Sequence, residues 1–278
     1  MDGIVLINKE KNISSREMVN KVCKILNTRR IGHTGTLDPI ATGLMVLCVN
    51  AGCKLVEMLT SHDKEYIAKV KLGIKTDTYD ITGNILEEND NYSLTKEELE
   101  KTLNSFLGTY SQEVPMYSAI KVRGKKLYEY ARSKEKVLLP KHLVTIKKIE
   151  LLDFKDDSFT FKTLVSSGTY IRSLINDIGN KLNIFMTMEE LERTQVGNFK
   201  LADACSLQDI KIIPLVEAIN LPKIEITSND FYKKVSNGVR IENIYQNPKV
   251  MFVKDNHLVA IYEDMGNGLM KSYRIFKD

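Results

Sequence analysis

Twelve residues, Gly32 to Gly43, read Gly-His-Thr-Gly-Thr-Leu-Asp-Pro-Ile-Ala-Thr-Gly. The group in them best suited to chemistry is the Asp38 carboxylate. Pro39 has no backbone donor, locks its own φ and pushes Asp38 out of the helical region. A carboxylate held on constrained backbone, with no Cys/His cluster beside it, suits nucleophilic or general-base work. No Gly-Lys-Ser/Thr follows, which excludes a phosphate loop, and the glycine spacing excludes a dinucleotide fingerprint. The competing interpretation is a tight turn whose Asp and Thr side chains bond their own backbone.

Other reactive types are less organised. Cys23, Cys48, Cys53 and Cys205 form no Cys-x-x-Cys pair, and no histidine stands at zinc-site spacing. They read as reduced, buried small hydrophobes. Asp77 and Asp80 suggest a carboxylate pair for Mg²⁺, but a polar turn between strands fits better, since no further carboxylate lies at ligand spacing. No metal and no cofactor is expected.

The elements around the loop follow from hydrophobic period. Gly3 to Asn8 is a short β-rich run. Ser14 with Glu17 is a capping box for a helix to about Leu26, with Met18, Val22 and Ile25 on its stripe. That helix delivers Arg29 and Arg30 to the loop edge. Leu44 to Val49 reads as a buried strand and Lys54 to Leu59 as a short helix. Lys64 to Leu72 alternates in period two, with Tyr66, Ala68, Val70 and Leu72 on one face. A capped acidic helix spans Thr95 to Leu107, and strands run near Val144 to Phe154 and Phe159 to Val165. A later helix carries Ile171, Leu174, Ile175, Ile178 and Leu182 on its stripe. Arg172 falls off that stripe in the first turn, where the helix dipole disfavours a cation by ~0.3 to 1 kcal/mol; this hints at a carboxylate partner.

The 278 residues are 43% hydrophobic and 27% charged, an ordinary soluble composition. No apolar run is long enough to span a bilayer, and the N-terminus lacks a basic region followed by an apolar one, so a cytoplasmic protein is expected. The net charge of +4 hides a polarised distribution. Lys121 to Lys148 holds ten basic residues against Glu129 and Glu135, whereas Asp77 to Glu100 holds eight acids against Lys96. Tyr117, just before the basic stretch, and Tyr128 and Tyr130 within it accompany Lys121, Lys125 and Lys126, which places cations for phosphates beside rings that stack on bases.

The loop from Gly32 to Leu44 resembles the catalytic signature of the TruB-type tRNA pseudouridine synthases, which isomerise uridine 55 in the T arm. Three further stretches resemble that family in order: Lys64-Glu65-Tyr66 with Leu72-Gly73, Gly168-Thr169-Tyr170-Ile171-Arg172 with Asp177-Ile178-Gly179, and Leu191-Glu192-Arg193-Thr194 with Gly197 and Phe199. Tyr117-Ser118-Ala119 and Gly124-Lys125-Lys126-Leu127-Tyr128 are also similar to family segments. The resemblance implies Asp38 as the catalytic nucleophile or base, Arg172 as its ion-pair partner and Tyr66 as the tyrosine against the target base. It implies substrate or RNA contacts at His33, Thr36, Leu191, Lys9, Tyr117, Lys121, Lys125, Lys126 and Tyr128. Two positions depart from the pattern: Glu192 replaces a usually basic residue, and Lys9-Glu10 replaces Lys-Pro.

By the same resemblance the fold is α+β. Residues 1–222 would form a catalytic domain on a mainly antiparallel or mixed sheet, with an RNA-clamping insertion at about 124–140. Residues 223–278 would form a small β-rich PUA-like RNA-binding domain after the Leu221-Pro222 boundary. The expected partner is tRNA through its T arm, with no membrane, no obligate protein partner and a monomeric state. Two rivals stand beside it: a non-catalytic tRNA-binding or tRNA-folding protein, and a Mg²⁺-dependent nucleic-acid hydrolase using Asp38, Asp77 and Asp80.

Overall fold

The computed structural model describes residues 1–276. The chain begins β1 (Gly3–Lys9), α1 (Ser15–Ile25), β2 (Ile31–His33), β3 (Thr42–Val49), α2 (Val56–Thr60) and β4 (Lys64–Leu72). A hairpin of β5 (Ile74–Thr76) and β6 (Ile85–Glu88) leads to α3 (Lys96–Asn104) and β7 (Gly108–Glu113). A second small hairpin, β8 (Lys121–Val122) and β9 (Lys125–Lys126), precedes α4 (Leu127–Ser133). Then come β10 (Lys141–Lys155), β11 (Ser158–Val165), α5 (Ile171–Leu182), β12 (Met186–Val196) and β13 (Phe199–Lys200). The rest is α6 (Leu215–Ala218), β14 (Lys223–Glu225), α7 (Asn229–Ser236), β15 (Ile241–Glu242), β16 (Lys249–Lys254), β17 (His257–Asp264) and β18 (Leu269–Ile275).

One nine-stranded sheet carries most of the chain, in the order β1-β3-β12-β4-β11-β10-β7, with β2 paired to β3 and β13 to β12. Its pairings are antiparallel except for the short parallel contact of β12 with β3. The uninterrupted apolar runs of β1 and β3 have a simple cause, since both faces of these strands are covered. Val5, Ile7, Met45 and Leu47 face a core closed by Met18, Val19 and Val22 of α1 and by Leu174, Ile175 and Ile178 of α5. On the reverse face, Ile4, Leu6, Leu44 and Val46 meet Met251, Val253, Leu258 and Ile261 of the second sheet. That second sheet has five strands in the order β14-β16-β17-β18-β15.

The period-two pattern of β4 holds along its whole length, with Tyr66, Ala68, Val70 and Leu72 buried and the residues between them half-exposed. The Ser14–Glu17 capping box is present in both directions, with Ser14 Oγ accepting from the Glu17 amide at 3.1 Å and Glu17 Oε2 accepting from the Ser14 amide at 2.7 Å. Such a cap contributes about 1 kcal/mol.

Asp38 sits on a loop pinned at both shoulders. Leu37 and Ile40 are buried in the main core. The Ser15 hydroxyl donates to the Leu37 carbonyl at 2.9 Å and accepts from the Leu37 amide at 2.8 Å. At the far end of the loop Gly43 has φ +102°, and a Cβ there would overlap the Arg193 carbonyl oxygen and lie 2.7 Å from the Arg193 nitrogen. Glycine is required because β12 must run against β3 at this point.

Lys9 corrects an expectation. The sequence reading placed it among the RNA contacts, but it is fully buried beneath the loop. Its ammonium donates to the carbonyls of Glu10 (2.8 Å), Ile13 (2.9 Å) and Pro39 (3.2 Å). All three N–H groups are occupied, so Lys9 braces the turn that holds Asp38 and has no access to a phosphate.

Candidate active site

A cavity of about 470 Å³ opens over one face of the sheet, within the size range of small-molecule sites of about 300–1,000 Å³. Its floor follows from strand register. Tyr66 pairs with Arg193 and Ala68 with Leu191 across β4 and β12, and partners in register share a face. Lys64, two residues before Tyr66, lies on the same face. Tyr66, Leu191, Arg193 and Lys64 therefore line the cavity together, as do Thr36 and Asp38 from the loop and Tyr117 and Tyr128 from the segment opposite.

The centre is an ion pair between residues far apart in sequence. Arg172 Nε lies 2.9 Å from Asp38 Oδ2, and Nη2 donates to Asp38 Oδ1 at 3.0 Å, a two-pronged contact that fixes both groups. Nη2 also donates to the Tyr117 carbonyl at 2.9 Å and Nη1 to the Thr78 carbonyl at 2.9 Å. Asp80 Oδ2 stands 3.8 Å from Nη1. The Arg172 side chain is 5% exposed and that of Asp38 33%. The cation is thus enclosed while the carboxylate keeps an open side toward the cavity. The hint from the helix dipole is accounted for, because Arg172 tolerates the first turn of α5 with two carboxylates beside it.

The Asp77–Asp80 stretch is a polar turn. Asp80 Oδ1 accepts from the Thr78 hydroxyl at 3.0 Å and the Thr82 amide at 3.0 Å, and Asp77 accepts from Asn84 through both carboxylate oxygens. These carboxylates build the turn and flank Arg172, the polar turn that the sequence pattern favours.

Among the predicted contacts, Thr36, Leu191, Tyr117 and Tyr128 line the cavity and His33, Lys121, Lys125 and Lys126 do not. His33 is a half-buried residue of β2, paired with Leu47. Burial, with Arg193 and Arg16 adding to it, pushes its imidazole below the usual range. Lys125 donates to Glu135 at 2.7 Å and Ser133 at 3.0 Å, and Lys126 to the Tyr128 hydroxyl at 3.1 Å. Both therefore also organise the hairpin and α4.

Arg193, Thr34 and Lys64 are among the lining residues that the sequence reading did not assign to the site. Arg193, fully buried, donates from Nε to the Leu44 carbonyl at 2.7 Å and from Nη2 to the Gly35 carbonyl at 3.1 Å. Thr34 is buried, and its hydroxyl has no protein partner among the described residues. Lys64 donates to the carbonyls of Thr60 (2.9 Å) and His62 (2.8 Å). The available signal was the alternation of β4, which puts Lys64 on the face of Tyr66.

Burial pushes the Lys64 ammonium down from the ordinary 10.5 to about 8, with Arg193 adding to the fall and Asp63 opposing it. Between those values the unfolded chain holds a proton that the folded chain has released. Stability therefore rises with pH across this window, by at most about 1.4 kcal/mol per pH unit. Urea unfolding of wild type and Lys64→Gln between pH 8 and 10.5 checks this. The wild-type curve should climb more steeply by up to one proton, and parallel curves would contradict the assignment.

Residues 23–171 match the family model described as TruB family pseudouridylate synthase (N terminal domain), and residues 172–217 match the tRNA pseudouridylate synthase B C-terminal domain. The chain belongs to the TruB family. The border between the two TruB matches falls at the start of α5, between strands β11 and β12 of the nine-stranded sheet. Proteins named tRNA pseudouridine synthase B are similar over nearly their whole length. That of Fusobacterium nucleatum is 41% identical, covering 99% of this chain and 100% of its own. That of Clostridium tetani is 38% identical, covering 100% and 99%. Among solved structures, a chain of an H/ACA RNP bound to a substrate RNA containing 2′-deoxyuridine superposes with TM-score 0.72 at 21% identity, covering 99% of this chain and 85% of that one. A chain of a Cbf5-Nop10-Gar1 complex gives TM-score 0.72 at 23% identity, covering 99% and 84%. These two show that the TruB chain shares their fold.

Proposed function

We propose that this enzyme converts uridine 55 in the T arm of tRNA to pseudouridine. The observation that carries the proposal is the Asp38–Arg172 pair, with its carboxylate open to a nucleoside-sized cavity floored by Tyr66 and Leu191. In the isomerisation the bond from C1′ to N1 breaks, the uracil turns, and C1′ bonds to C5 instead. N1 gains a proton and C5 releases one, so no oxidant or outside nucleophile is consumed. Asp38 acts as nucleophile or base on the flipped nucleotide, and Arg172 keeps it ionised and aimed. Tyr66 lies against the base and relays a proton, Leu191 packs on the uracil edge, and Thr36 borders its entry.

A base inside a folded arm has to leave its stack, at a cost of a few kcal/mol that backbone contacts offset. We assign those contacts to the basic, tyrosine-bearing stretch around Lys121, Lys125, Lys126, Tyr117 and Tyr128. His33 would fill or hold open the vacated stack. Residues 1–222 would form the catalytic domain, about 124–140 an RNA clamp, and 223–278 a small PUA-like RNA-binding domain. The enzyme would work as a cytoplasmic monomer without an obligate protein partner. Among the described residues no helix is long and apolar enough to cross a membrane.

Tritium release from tRNA transcript labelled at uridine C5, measured with EDTA present, tests the proposal. Release confined to one equivalent per tRNA, and lost when position 55 is changed, supports it. Tight tRNA binding without release would replace it by a binding or folding role.

A further inference from the structure

Arg172 is the second residue of α5, and the start of that helix has no cap of its own: the N-cap residue Tyr170 makes no capping bond with its side chain. The missing restraint comes from β7. Gln112 Oε1 accepts from the Tyr170 amide at 2.8 Å, and Gln112 Nε2 donates to the Tyr170 carbonyl at 3.2 Å. One side-chain amide thus holds both the N–H and the C=O of the residue on which α5 begins.

Gln112 is 1% exposed and is itself held. Nε2 also donates to the Tyr110 hydroxyl at 2.6 Å, and that hydroxyl donates to Asp177 Oδ2, further along α5, at 3.2 Å. Burial pushes the Asp177 carboxyl up to about 6, with the Tyr110 hydrogen bond opposing the rise. The Ser173 hydroxyl donates to the Glu113 carbonyl at 2.8 Å, a third stitch between the same two elements. The chain then runs from β7 directly to Tyr117, whose carbonyl accepts from Arg172. Arg172 is therefore bracketed by a single segment, 110–117, that fixes its helix at one end and its guanidinium at the other.

We propose that Gln112 is a positioning residue for Arg172, setting the first turn of α5 so that the guanidinium stays two-pronged on Asp38. The proposal rests on the assignment of Asp38 as the reacting carboxylate. Gln112 itself lies outside the cavity lining and reaches it only through the Tyr170 backbone, so its effect falls chiefly on the rate of the chemical step. A displacement of about 1 Å at a reacting group costs up to about 10²-fold in rate.

The test compares wild type, Asp38→Asn, Gln112→Leu and Tyr110→Phe for kcat and KM on unmodified tRNA transcript, well below each protein's melting temperature. Gln112→Leu should lower kcat by about 30- to 100-fold with KM within about threefold, and Tyr110→Phe should lower it several-fold. Unchanged kcat in folded Gln112→Leu, or losses in kcat and affinity that track the melting temperature, would overturn the proposal. If Gln112→Leu does not fold, Tyr110→Phe decides alone: a several-fold loss in kcat at constant KM supports the proposal, and wild-type kcat overturns it. Wild type without turnover would overturn the functional assignment itself, and the proposal with it.

Discussion

Asp38→Asn lowers pseudouridine formation by at least about 10⁴-fold while the tRNA dissociation constant stays within about threefold. The substitution keeps the size and planarity of the side chain. Its amide presents one acceptor and one donor to a guanidinium that offers only donors, so one prong of the contact with Arg172 is lost. The group left facing the cavity is neither a nucleophile nor a base at neutral pH. Affinity is retained because the expected contacts to the RNA backbone lie on the basic stretch and not at this carboxylate. Turnover of the variant within tenfold of wild type would remove Asp38 from the chemistry.

Arg172→Met should be the more damaging change to the fold. The guanidinium serves two carbonyls and two carboxylates, and one of those carboxylates, Asp80, is 8% exposed. Removing the cation leaves a buried negative charge without its partner, a loss of about 3–5 kcal/mol. Against a total stability of about 5–15 kcal/mol that is a large share. Arg172→Lys keeps the charge but places it at one point and cannot span both Asp38 oxygens. It should retain most of the stability and still lose turnover by about 10²-fold or more. Urea unfolding and single-turnover rates on the two variants separate the roles. A Met variant as stable as wild type would show that the pair contributes nothing to the fold.

The pinned loop, the strand carrying Tyr66 and the helix carrying Arg172 were legible in the sequence because each rests on local chemistry: an Asp-Pro pair, a period-two alternation, a stripe of isoleucines and leucines. β12 was not legible as a strand. Glu189, Glu190, Glu192 and Arg193 interrupt its apolar pattern, and register shifts at Met188/Glu190 and Arg193/Gln195 break its alternation. Its position between β3 and β4 comes from long-range pairing that no local window contains. Lys9 misled for a related reason. The family resemblance put Lys9 among the RNA contacts, and only the three carbonyls gathered around it in the folded chain draw it inside. Gln112 carried no signal at all, since a glutamine in an edge strand acquires meaning only from the helix start it meets.

The placement of β12 also governs when the protein becomes itself. β3 and β4 leave the ribosome within the first 72 residues, yet they are not neighbours; the strand that joins them ends at Val196. Until that segment has been synthesised, β4 lacks its neighbour on one side, and the cavity beside Asp38 lacks Leu191 and Arg193. Pairings so distant in sequence close slowly. Completion of the cavity thus waits on a late pairing, and the open edge of β4 is the place where a stalled or truncated chain would aggregate.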